Sequence, residues 1–162
     1  MPPVRYCSAC GAELPSRPPV TCAECGTNHW RNPWPGANGI VVRGGHVLLG
    51  RRAHDPWRDM WCSPGGFCEL GEHPTETVVR EVLEETGLRC RIGRRLPDAT
   101  YTDARGREKI VRYWSMHPRG GEFEPSDEVD EVRWLTLEEA RRLLTYDHDR
   151  AVLDALEGSA GG

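Results

Sequence analysis

The stretch from Ser63 to Leu88 permits few structures. Ser63-Pro-Gly-Gly-Phe is a Gly-rich turn, Pro74 suits the first position of a helix, and Gly87 suits the residue that ends one. On that helix Val79, Val82 and Leu83 fall on one side, at the i, i+3, i+4 spacing of a buried stripe, and Glu81, Glu84 and Glu85 lie opposite. Carboxylates so spaced repel one another by roughly 0.2–0.5 kcal/mol per neighbouring pair, and the C-terminal end of a helix also disfavours anions. Such a face is either a solvated acidic surface or a cation site. Hard oxygen donors without a soft partner favour Mg²⁺ or Mn²⁺, ions that also bind substrate phosphates.

The 162 residues suffice for one ordinary core and a small appended module. Residues 1–33 are rich in Cys, Pro and Gly and lack a sustained helical or strand period. From about residue 36 to 157 the pattern becomes that of an α/β domain. Ile40-Val-Val and Val47-Leu-Leu flank a Gly44-Gly45 hairpin turn, and strand-like runs follow at Leu88 to Ile92, Ala99 to Thr102, Ile110 to Met116 and Val129 to Leu135. A polar loop is expected from Pro118 to Glu128. Thr136 and Glu139 form a capping box for one helix, Asp147 to Leu156 supplies another, and residues 158–162 form a tail expected to be disordered.

Read from Gly66, the chain gives one Gly, five residues, Glu72, seven residues, then Arg80-Glu81-Val82-Leu83-Glu84-Glu85-Thr86-Gly87-Leu88. This segment resembles the Nudix box at each of its fixed positions. The resemblance implies an α/β/α sandwich with a mixed sheet and a hydrolase that cleaves a diphosphate bond. It implies that Glu81 and Glu85, often with Glu84, bind Mg²⁺ or Mn²⁺, with the Gly65 carbonyl contributing, and that a Glu72–Arg80 ion pair orients those carboxylates. Metals would polarise the diphosphate and activate a water, with a glutamate as base. Some members add an acid from the loop before the last strand; counting back from Trp134 makes Glu128 the candidate, against the alternative of a solvated loop.

Cys7-x-x-Cys10-Gly and Cys22-x-x-Cys25-Gly are matching knuckles, and four thiolates suit structural zinc in a small ribbon module. A module this short draws most of its folding energy from the metal. The start, Met1 to Tyr6, lacks the apolar core of a signal peptide, and no run of eighteen apolar residues exists, so a cytoplasmic enzyme without a membrane partner is expected. The net charge of −4, a single lysine (Lys109), and only Arg5, Arg17 and Arg31 in the cysteine module argue against an electrostatic grip on nucleic acid. A homodimer is left open.

Substrate clues are fewer. Arg51 and Arg52 end a strand and are candidates for phosphate contact or for a solvated strand end. Trp57 is a candidate to stack on a base, whereas Trp61 fits a packing position. Cys62 and Cys68 read as small buried groups, and His54, His73 and His148 as surface residues. The cysteine module before the box is similar to NADH pyrophosphatases and to some FAD or ADP-ribose pyrophosphatases, but their Ser-Gln-Pro-Trp array is absent. The downstream segments, including Leu144-Thr-Tyr-Asp-His-Asp-Arg150, instead resemble MutT-like and dinucleoside-polyphosphate hydrolases. The expected substrate is therefore a nucleoside diphosphate-X compound, among ADP-ribose, NADH, FAD, dinucleoside polyphosphates and oxidised or ordinary dNTPs. The alternative is a non-catalytic nucleotide sensor whose zinc ribbon contacts nucleic acid, although such modules usually lose box glutamates.

Overall fold

The computed structural model describes residues 4–30 and 32–157, and the tail at 158–162 and Arg31 lie outside the described residues. The chain divides into two compact units, Met1–Pro33 and Trp34–Gly162. In the first, β1 (Val20–Thr21) and β2 (Asn28–His29) pair antiparallel, and Cys7, Leu14 and Cys22 are buried with Ala12 and Val20 against them. Two equivalent turns set the knuckles: the Gly11 amide donates to the Cys7 carbonyl and the Gly26 amide to the Cys22 carbonyl.

The second unit begins with β3 (Trp34–Arg43), two residues before the start expected from sequence, because Trp34 and Pro35 already align with the later strand β8 (Glu108–Gly121). Between them come β4 (His46–Arg52), β5 (Trp61–Cys62), β6 (Gly65–Phe67), helix α1 (Pro74–Thr86) and β7 (Leu88–Thr102). They are followed by β9 (Val129–Thr136), α2 (Leu137–Leu143) and α3 (Asp147–Glu157). The strand order is β5-β4-β3-β8-β7, with β6 on β3 and β9 on β4; β3 and β8 run parallel and the other pairs antiparallel, so the sheet is mixed.

Strand alternation explains why both faces are covered. Ala37 and Val41 of β3, Leu48 of β4, and Trp114 and Met116 of β8 pack with Val78 and Val82 of α1. Their neighbours Ile40, Val47, Leu49, Val111 and Tyr113 point the other way and pack with Ala140, Leu144, Val152 and Leu153 of the C-terminal helices and their connection. The result is an α/β/α sandwich with an apolar core on each face.

Two sequence expectations change. Val79 and Leu83 are exposed, and the buried face of α1 carries Thr77, Val78, Val82, Glu85 and Thr86. The packed face is rotated from the apolar stripe because Glu85 shares it with the valines. The runs Leu88 to Ile92 and Ala99 to Thr102 are one strand, β7, joined through register shifts between Ile92 and Arg95 and between Leu96 and Ala99. Those irregularities break the period-2 pattern that sequence reading depends on. Its partner β8 likewise runs past Pro118 to Gly121, shortening the polar loop.

Candidate active site

Helix α1 is bounded on both sides by its own chemistry. His73 caps the N-terminus in a reciprocal pair with Glu76, Pro74 opens the first turn, and Gly87 closes the helix at φ 69° with its amide on the Leu83 carbonyl. These limits hold Arg80, Glu81, Glu84 and Glu85 in register with the turn at Gly65 and Gly66. Gly66 gives the Glu81 carboxylate its room: a Cβ at that position would lie 2.4 Å from Glu81 Oε1 and would push the carboxylate aside.

Arg80 is the hub of the ion-pair network. Its Nε and Nη2 donate to the two oxygens of Glu72 at 2.8 and 3.0 Å, and its Nη1 donates to Glu81 Oε1 at 2.8 Å and to Glu84 Oε2 at 3.1 Å. The guanidinium fork, joined by the Glu69 amide and the Thr77 hydroxyl, lowers the Glu72 carboxyl to about 2. Arg80 thus holds three glutamates.

Glu85 has the opposite environment. Only 8% exposed, it is pushed up to about 8 by burial, with the charges of Glu81 and Glu128 adding to the rise against the single Gly65 amide that donates to its Oε2 at 2.9 Å. Burial raises Glu81 as well. Carboxylate oxygens of Glu81, Glu85 and Glu128 all come within 4.8 Å of one another. Glu128 reaches this cluster from the loop before β9, which is anchored by its carbonyl accepting from the Ala53 amide. Glu84 stands outside the cluster, largely exposed and turned to Arg80. Three converging carboxylates, with Glu81 tied through one oxygen to Arg80 and Glu85 held high by burial, form a donor set suited to a hard divalent ion.

The two arginines that end β4 diverge. Arg51 is tied to Asp130 at 2.8 Å and Glu131 at 3.0 Å and is not among the residues lining the cavity. Arg52, on the other face of the strand, lines the cavity, and its Nε is buried without a hydrogen-bond acceptor. The Cys62 thiol is close to it, but burial raises that thiol to about 12 and leaves it a weak acceptor.

The cavity measures about 630 Å³ and runs from Gly65 and Gly66 to a wall that sequence reading missed. Trp57, exposed at its rim, was anticipated. Tyr101, Tyr146 and His148 were not: the His148 ring stacks on Tyr101 at 4.6 Å and on Tyr146 at 5.3 Å, so His148 is a wall residue rather than a free surface one. The polar-aromatic run Tyr146-Asp-His-Asp149 was the available signal, but its strand partner Tyr101 is 45 residues away. Trp61 is buried in the core as anticipated and also faces the cavity.

In the smaller unit Cys7, Cys10, Cys22 and Cys25 bring their sulfurs within 4.8 Å of one another, with Cys7 and Cys25 3.5 Å apart and Cys10 and Cys22 3.7 Å apart. The Ala9 amide donates to Cys7 Sγ, and His29 Nε2 lies 3.3 Å from the same sulfur. The set fits tetrahedral zinc.

Comparison with known proteins agrees with this geometry. The chain is 42% identical over 100 residues to an 8-oxo-(d)GTP phosphatase of Mycolicibacterium smegmatis, a match covering 62% of this chain but only 31% of that protein. It is 29% identical over 131 residues to an ADP-ribose pyrophosphatase of Methanocaldococcus jannaschii, covering 80% and 77% of the two chains. The crystal structure of a NUDIX hydrolase from Nitrosomonas europaea superposes with a TM-score of 0.73 at 27% identity, over 98% of this chain and 94% of that one. The NUDIX domain model matches residues 33–156, and the chain belongs to the Nudix family.

Proposed function

We propose that this chain is a Mg²⁺- or Mn²⁺-dependent pyrophosphohydrolase that splits the diphosphate linkage of a nucleoside diphosphate-X substrate. The observation that carries the reading is the convergence of Glu81, Glu85 and Glu128 within 4.8 Å at the Gly65–Gly66 end of a cavity of about 630 Å³. A divalent ion held by these glutamates supplies charge neutralisation for the diphosphate and a more acidic attacking water. Arg80 fixes Glu81 through its Nη1 and leaves Glu72 ionised, so the position of the cluster is set before substrate arrives. The Gly65 amide does the same for Glu85. Arg52 Nε, buried without an acceptor, is a donor for a phosphoryl oxygen. A glutamate of this cluster takes the proton of the attacking water at its carboxylate, and Glu128 brings the cluster its one carboxylate from a loop instead of the helix. The Cys7, Cys10, Cys22 and Cys25 site holds zinc in a structural role. The names of the relatives support nucleotide substrates: one is a phosphatase of 8-oxo-(d)GTP and one a pyrophosphatase of ADP-ribose.

The test is incubation with Mg²⁺ or Mn²⁺ and a panel of ADP-ribose, NADH, FAD, Ap4A, dGTP and 8-oxo-dGTP, with products read by mass. Wild-type chain releases products split at one diphosphate, and Glu85→Gln loses about 10²–10⁴-fold in rate. Equal turnover by Glu85→Gln, or none by the wild type across the panel, defeats the reading.

A further inference from the structure

The cysteine cluster is attended by a side chain that coordination through four sulfurs leaves unused. His29, half-buried on β2, places its Nε2 3.3 Å from Cys7 Sγ, and its imidazole stands outside the group of four sulfurs that converge within 4.8 Å. Strand pairing holds it there: His29 lies opposite Val20 and Asn28 opposite Thr21, whose hydroxyl donates to the Asn28 side-chain oxygen at 2.7 Å. A zinc ion bound by thiolates alone leaves surplus negative charge on the sulfurs, and sulfurs shut off from water need protein donors to spread it. Cys10 and Cys25 are exposed, whereas Cys7 is 3% and Cys22 2% exposed. Cys7 Sγ accepts from the Ala9 amide at 3.4 Å and has the imidazole beside it; among the described residues no side chain other than a cysteine bonds Cys22. The imidazole therefore sets the two buried sulfurs apart. A metal-bound thiolate only accepts, so the ring nitrogen that faces Cys7 is a protonated one.

We propose that His29 is a positioning residue of the zinc site, its Nε2–H donating to the Cys7 thiolate and holding that sulfur at the metal, an inference that rests on the zinc reading above. The bond draws charge off the sulfur and fixes the direction of its lone pairs, as outer donors do for other metal ligands. It also joins β2 to the first cysteine knuckle across 22 residues of sequence. Metal retention in this unit thus depends on a residue that is not a ligand.

Zinc competition against a chromophoric chelator, with cobalt and cadmium substitution, tests this on the full chain without reference to turnover. His29→Phe keeps a ring and loses the N–H; His29→Gln keeps an N–H donor near the place of Nε2. The Phe variant binds zinc about 10–100-fold more weakly than the wild type, the Gln variant recovers most of that loss, and all three chains give the cobalt spectrum of four thiolates. In the cadmium-loaded wild type the Nε2 proton of His29 couples through Cys7 Sγ to the metal nucleus, a signal that ring packing does not produce and that needs no variant. Equal zinc affinity in the three chains, recovery by Phe instead of Gln, or absence of the coupling overturns the proposal and leaves the imidazole a packing group. A cobalt spectrum of three thiolates and one imidazole also overturns it, making His29 a ligand. A wild-type chain that binds no zinc defeats the zinc reading itself, whereas zinc bound equally well by every variant defeats this inference alone.

Discussion

Both units of the chain gather four or three ligand-type side chains within 4.8 Å, yet the clusters stand in opposite relation to the fold around them. In the N-terminal unit the cysteines are the core: of the three residues buried among its described ones, Cys7 and Cys22 are also members of the sulfur cluster, and its strands are two residues long. In the larger unit Glu81, Glu85 and Glu128 adjoin a sheet whose two faces are already sealed by apolar clusters. A cation bound in the first would therefore act as a folding element, and one bound in the second as a chemical one. The largest expected effect follows from this. With structural zinc contributing about 10–16 kcal/mol, Cys22→Ser should unfold residues 4–30, seen as loss of their amide dispersion and of bound zinc, while the signals of β3 to α3 persist. Collapse of both sets of signals would break the comparison.

Within the larger unit the contrast sharpens to a single residue. Arg80 contacts Glu72, Glu81 and Glu84 through a planar fork, and a lysine ammonium cannot reproduce the paired bonds to Glu72. Arg80→Lys should lower kcat/KM by about 10–100-fold and weaken Mg²⁺ activation, with an unchanged thermal transition, because outer partners of metal ligands orient rather than fold. A large fall in thermal stability with little change in metal dependence would make Arg80 structural instead.

How much of this was legible depended on whether the signal was local. Pro74, Gly87 and the Thr136–Glu139 box mark helix ends through contacts three or four residues apart, and those ends stand where sequence places them. The box spacing likewise brings Glu72, Arg80 and Glu81 together, since one helix and one turn suffice. Glu128 required knowledge of a distant loop and was reached only by resemblance. The rotation of α1 was misread because the packed face of a functional helix includes a carboxylate, and hydrophobicity alone cannot place it. The wall of Tyr101 and Tyr146 was invisible for a different reason: the register shifts in β7 decide which side Tyr101 faces, and no local pattern encodes them.

A further effect concerns pH. Without a bound divalent ion, burial and the neighbouring carboxylates hold Glu85 near 8 in the folded chain, against an ordinary value of 4.5. Between those two pH values the folded state binds more protons than the unfolded one, so the contribution of Glu85 to stability is fully present below about pH 4.5 and is lost as pH rises through about 8. The wild-type chain without added Mg²⁺ should therefore melt progressively lower across that window. Glu85→Gln, which has no proton to lose, should show a shallower decline. Adding Mg²⁺ near pH 7 should flatten the wild-type curve and release close to one proton, measurable by calorimetry in buffers of different ionisation enthalpy, because the ion binds the ionised form. The Cys₄ unit offers no such titration to Glu85→Gln, so a slope that survives the substitution undiminished would place its origin outside the glutamate cluster.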